Sequence, residues 1–136
     1  MARPKPSSEA EQLYKADAAL AGRRTELLDA AQQAETKLRA AQARHAPEAE
    51  LRPLAVNLDT ALTAAMHAAY AAQRAEIGLR GYDDRIYRRK AKAKPHIHAL
   101  TADAERLLTL RETHRLNGIP AVAFEPSPLM AEITEV

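Results

Sequence analysis

The chain has no cysteine and no tryptophan, one phenylalanine and four glycines in 136 residues. Without cysteine there is no disulfide, no thiolate zinc site and no cysteine nucleophile. With almost no large aromatics, the side chains that bury the most apolar area are missing, so the core must be thin. Long apolar runs are also absent. The weakest-polarity stretch, 61–72, is interrupted by Thr63 and His67 and is too short to span a bilayer. The opening residues, MARPKPSS, carry charge but no apolar segment of the secretory kind. A soluble protein made in the cytoplasm, with no membrane partner, is the expectation.

Catalytic signatures are missing too. The chain has no glycine-rich phosphate loop, no nucleophile elbow and no HExxH. It also lacks a Glu-x-x-His pair of the kind that builds carboxylate-bridged metal sites in helical bundles. His96 and His98 flank Ile97, a spacing that points two helical side chains apart. The expectation is a protein that is not an enzyme and holds no metal or cofactor. Gly78 and Gly81 have the GXXG spacing of a KH loop. They follow a long alanine-rich stretch rather than strands, so they read as a kink or brief break in the helix, with Asp83 or Asp84 capping its restart.

What the sequence does contain is helix. Alanine, leucine, glutamate, glutamine, arginine and lysine, all low in helical cost, dominate. Ser8, with Glu11 three residues on, has capping-box spacing, and no strong breaker follows before Pro47. One helix over roughly 8–44 is expected. Its apolar residues Leu13, Leu20, Leu27, Ala34 and Ala41 recur every seven. Pro47 marks a turn, and Pro53 suits the first turn of a second helix. There Leu51, Leu58, Ala65, Ala72, Leu79 and Ile86 repeat every seven, with Leu54, Ala61, Ala68, Ala75 and Tyr82 between them. Such an a/d pattern sustained for about five heptads predicts a helix–helix seam. Folded at the turn, it sets Ala34 against Ala61, Leu27 against Ala68, Leu20 against Ala75 and Leu13 against Tyr82. Pro95 ends the second helix. A third, over about 97–116 with Leu100, Leu107, Leu108 and Leu110, stops at Asn117-Gly118. It is expected to cover only the half of the hairpin near Pro95, leaving an alanine-lined groove elsewhere.

The predicted architecture is therefore all-α: a long antiparallel helical hairpin with a shorter third helix and an extended C-terminal arm. Residues 1–7 form a basic arm, 8–118 the helical body and 119–136 a proline-containing arm. In that last segment Ile119, Val122, Phe124, Leu129, Met130 and Ile133 are spaced as anchors that dock onto a partner.

Charge is segregated along the chain. Arg85, Arg88, Arg89, Lys90, Lys92 and Lys94 form a run with no acid inside it. With Arg3 and Lys5 this makes eight cations against a net charge of +2, so the rest of the chain is acidic overall. Residues 119–136 hold Glu125, Glu132 and Glu135 and no base. The basic zone suits phosphates, with Tyr82 and Tyr87 stacking on bases, or an acidic protein segment. The functional expectation is a non-enzymatic structural or assembly protein. It associates with copies of itself or other subunits through its seam and C-terminal arm. By analogy of architecture, its most concrete form is a virion component of a tailed phage, a neck, connector or minor capsid protein. Nucleic-acid binding through the basic run is the rival reading, and a helical chaperone or adaptor is a third.

Overall fold

The computed structural model describes residues 5–117, and within them the chain is helical throughout, without strands. Five helices follow in order: α1 (Ser8–Ala21), α2 (Arg24–Ala43), α3 (Glu48–Ile77), α4 (Arg85–Lys92) and α5 (Pro95–Asn117), with a 3₁₀ turn (Leu79–Tyr82) between α3 and α4.

Helix α1 is capped by Ser7, whose Oγ accepts the amide proton of Ala10. The cap thus falls one residue before Ser8, and the Ser8–Glu11 capping box does not form. The single helix expected over 8–44 is divided. At Gly22-Arg23 the ladder breaks, with Arg23 at φ −95°, ψ 3°. This break alters the seam. In α2, Ala31, Leu38 and Ala41 are buried, and Leu27 and Ala34 pack on the same core. In α1 the inward positions are instead Ala10, Tyr14, Asp17 and Ala21, with Leu20 half-buried. Leu13, expected opposite Tyr82, is 48% exposed, and the ring that meets Tyr82 is Tyr14, edge-on at 6.2 Å. Drift from a strict seven-residue repeat amounts to only about 40° over the two heptads between Leu27 and Leu13, so the break at Gly22-Arg23 is needed to carry Leu13 outward.

The chain reverses after α2 through a Schellman turn. The amide of Ala46 donates to Ala41 O and that of His45 to Gln42 O, with His45 in the left-handed region at φ 56°. Ala46 and Ala41 are both buried, the apolar contact that accompanies this motif. Helix α3 starts at Glu48 with Pro47 as its N-cap. Pro53 therefore lies inside the helix rather than in its first turn. There it cannot donate to the carbonyl four residues back.

Helix α3 is the axis of the molecule. Helices α1, α2 and α5 all pack against it, and Arg24 of α2 pairs with Asp103 of α5. Arg44 pairs with Glu50, Asp17 with Arg74, and Ser7 with Asp83, so residues ever earlier in the chain meet residues ever later. Of the seam positions on α3, Leu58 and Ala68 are buried, while Ala61 and Ala75 are half-buried. The main core joins Ala31 and Leu38 of α2, Ala55, Leu58, Leu62, Ala65, Met66 and Ala69 of α3, and Ala104 and Leu107 of α5. Alanine at so many of these positions lets the backbones approach closely, at the cost of little apolar area per contact.

Helix α5 covers more of α3 than expected. Thr101 bonds Gln73 near one end, while His114 bonds Ala55 O and Arg115 pairs with Asp59 near the other. Its 23 residues, about 35 Å, lie along most of α3, so the half-length cover and the open groove beyond it are not found. Pro95 and His96 belong to the first turn of α5, where proline's missing amide costs nothing, rather than to a turn of their own. Among the described residues no helix is long and apolar enough to cross a membrane.

Candidate docking groove

The end of α3 is where the chemistry gathers. Gly78, at φ 101° and ψ 175°, occupies a backbone region open in practice only to glycine, and α3 stops there. The chain makes one 3₁₀ turn and restarts as α4, with the Asp84 carboxylate accepting the amide proton of Tyr87. The neighbouring Asp83 turns the other way. Its two oxygens accept from the backbone N–H and the hydroxyl of Ser7, each at 2.8 Å. Ser7 thus caps α1 and anchors the N-terminal stretch to the α3–α4 junction. These amide and hydroxyl donors hold the Asp83 carboxyl below its ordinary range. The Tyr87 amide, aided by Arg80, does the same for Asp84.

Beside this junction lies a groove of about 1010 Å³. Lys5 and Pro6 of the N-terminal stretch, Leu79, Arg80 and the Asp83-Asp84 pair of the junction, and Arg85, Ile86 and Arg89 of α4 line it. Arg80 is committed. Its guanidinium sits 4.5 Å from the centre of the Tyr87 ring and 3.4 Å from Asp84. Lys5, Arg85 and Arg89 are exposed and, among the described residues, have no carboxylate within ion-pair distance. Ile86, in the same lining, is 67% exposed. The lining is net cationic and carries exposed apolar surface.

The basic run is therefore not one surface. Arg85 and Arg89 line the groove, and Lys92, seven residues after Arg85, continues the row along α4. Arg88, read from sequence as a contact residue, is half-buried and donates to Gly81 O at 3.1 Å. It braces the 3₁₀ turn from within. Lys90 and Lys94 are exposed away from the groove lining, and Arg89, Lys90 and Lys92 also complement the C-terminal dipole of α4. Arg3 and the anchors Ile119, Val122, Phe124, Leu129, Met130 and Ile133 lie outside the described residues.

The tyrosines do not offer the stacking faces expected of them. The Tyr87 ring lies under Arg80 and packs on the small core of Ile77, Ala91 and Ile97. The Tyr82 hydroxyl donates to Asp17 at 2.5 Å. Asp17 also accepts from Arg74 Nε and Nη2 at 2.8 and 3.0 Å. Burial opposes ionisation of Asp17, but the hydrogen bonds from Arg74 and Tyr82 and the Arg74 charge outweigh it and hold the carboxyl below its usual range. Burial, and then the Asp17 carboxylate, push the Tyr82 hydroxyl up. A search for apolar residues passed over this hub: Asp17 lies two heptads before the buried Ala31, an inward position, but carries a carboxylate.

A second missed cluster lies on α5. His114 is buried, and its Nε2 lies 2.7 Å from Ala55 O; a carbonyl only accepts, so Nε2 carries the proton. Arg111 is 3% exposed, pairs with Glu112 and leaves its Nε without a partner. Among the described residues no three metal-ligating side chains gather, and His96 stands 3.8 Å from Glu76.

No protein-family model matches this chain, and neither a curated protein nor a solved structure matches it.

Proposed function

We propose that the chain is a non-enzymatic docking subunit of a larger assembly. In this reading α1–α2 and α3 form an antiparallel helical hairpin, α5 braces it, and residues 119–136 are an arm that engages a partner. The groove at the α3–α4 junction receives an acidic, partly apolar protein segment. A virion component of a tailed phage, such as a neck, connector or minor capsid protein, is its most concrete form.

One observation carries the reading. Lys5, Arg85 and Arg89 line a groove without ion-pair partners among the described residues, together with the exposed Ile86. Uncompensated cations beside exposed apolar surface match a peptide that carries both carboxylates and aliphatic side chains. A nucleic acid is less well matched. Tyr82 and Tyr87, the rings expected to stack on bases, are occupied by Asp17 and Arg80. Nucleic acid remains the second reading because six cations cluster between Arg85 and Lys94.

Fluorescence anisotropy separates the two. A labelled peptide alternating glutamate with leucine or isoleucine binds the full-length protein at low ionic strength and is released as salt rises past a Debye length of about 10 Å. Arg85→Glu/Arg89→Glu weakens it about tenfold or more. The reading fails if the peptide does not bind at low salt, or if duplex DNA or single-stranded RNA of matched charge binds more tightly than the peptide.

A further inference from the structure

We infer that the occupant of the Lys5–Arg85–Arg89 groove is the acidic segment 118–136 of a second copy of this chain, so that copies join head to tail. This rests on the docking reading above and names its partner.

Charge complementarity is the first argument. The segment contains Glu125, Glu132 and Glu135, no lysine or arginine, and a series of aliphatic residues between the carboxylates. The groove offers Lys5, Arg85 and Arg89 without partners among the described residues, with Ile86 exposed in the same lining. Asp83 and Asp84 stay charged, but four cations in the lining, Lys5, Arg80, Arg85 and Arg89, outnumber these two carboxylates, and Arg80 is the one paired with Asp84, so the net charge of the groove is positive.

Position selects the copy. Helix α5 runs opposite to α3, with Thr101 beside Gln73 and Arg115 beside Asp59. Asn117 therefore lies toward the Glu48 end of α3, whereas the groove is at the Ile77 end. About 35 Å of helix α5 separates the two. The eight residues from 118 to Glu125 span at most about 29 Å even fully extended, so Glu125 cannot return to its own groove; Glu132 and Glu135, fifteen and eighteen residues past Asn117, can reach it, so only a neighbour's groove is within reach of all three glutamates. In a neighbour placed end to end, the segment begins beside the groove and all three glutamates reach it. Because donor and acceptor sit at opposite ends, the contact is heterologous. It propagates until the rotation closes a ring, or continues as a filament.

Charge exchange between full-length variants tests this. One variant carries Arg85→Glu and Arg89→Glu; the other carries Glu125→Lys, Glu132→Lys and Glu135→Lys. Arg85 and Arg89 are exposed and unpaired among the described residues, and matched far-UV circular dichroism of both variants checks that the helical body is retained. By light scattering at low salt the wild type forms oligomers larger than a dimer. Each variant alone needs at least about tenfold more protein to associate, from the loss of several exposed pairs and the new repulsion. An equimolar mixture recovers assembly, since the acidic segment of the first fits the cationic groove of the second, and the lysine segment of the second fits the glutamate groove of the first. A mixture as dissociated as its components overturns the inference and points to a segment folded back on its own groove. Oligomers indifferent to both variants, or dissolved by nuclease, overturn it as well. If the wild type stays monomeric while the acidic peptide still binds the groove, the inference falls and the docking reading survives; if neither occurs, both fall.

Discussion

Replacing Asp17 with alanine removes the one carboxylate that ties α1 to both α3 and the 3₁₀ turn. The cost follows from its three bonds. The Tyr82 hydroxyl, 2.5 Å away in a partly buried site, loses a charged acceptor, worth about 1.5–3 kcal/mol. The Arg74 guanidinium is 44% exposed and regains water, so its share is at most about 1 kcal/mol. Alanine returns roughly 0.5 kcal/mol of helix propensity. The net loss is about 2–3 kcal/mol, or a fall of roughly 8–15 °C in Tm. Urea and thermal unfolding followed by circular dichroism measure it. The order of effects is as informative as the size: Asp17→Ala costs most, Tyr82→Phe less, Arg74→Ala least. Asp17→Ala and Tyr82→Phe also share one bond, so the double variant loses less than the two singles together. The pH dependence has a definite sign. The folded carboxyl ionises below its unfolded value near 3.9, so the contribution of Asp17 is fully present above that value and is lost as pH falls through the folded one. A stability change within about 0.5 kcal/mol of zero, or strict additivity with Tyr82→Phe, refutes the hub.

Two further substitutions probe the frame. Ala104→Phe places a ring where α5 meets the main core at a fully buried alanine, and overpacking lowers stability by about 1–3 kcal/mol; an unchanged urea midpoint would show that α5 does not press on α3 there. His45→Gly relieves a non-glycine residue of its left-handed conformation at the turn between α2 and α3 and raises stability by roughly 0.5–1 kcal/mol, whereas a fall in Tm would deny the Schellman geometry.

The helical character of the chain was legible because its signal is repeated. Heptad-spaced leucines and alanines mark α2 and α3 over many turns, and the restart after Gly78 was readable from Asp84, which caps α4. What escaped was whatever depends on a break in helical phase or on long side chains. The break at Gly22-Arg23, more than the drift of a straight helix, turned Leu13 outward, and Tyr14 and Asp17 meet Tyr82 instead. Arg88 reads as one cation among six, yet its guanidinium reaches back seven residues to Gly81 O. His114 and Arg111 occupy inward positions of α5 that a search for leucines passes over, and α5 covers more of its partner than expected because α3 ends at Ile77 instead of running on to Pro95. The groove joins Lys5 to Arg85 and Arg89 through the Ser7–Asp83 bonds, a pairing 76 residues apart with no periodic trace.

The alanine lining of α3 sets the thermal character of the fold. Unfolding exposes apolar surface in proportion to side-chain size, and that exposure supplies the positive heat-capacity change. A centre that relies on Ala55, Ala65, Ala68, Ala69, Ala71 and Ala104 releases less of it than a leucine-rich centre of equal length. The free-energy curve is correspondingly shallow, low at its summit but slow to fall on either side, so that cooling and moderate heating weaken the helical body to similar small extents.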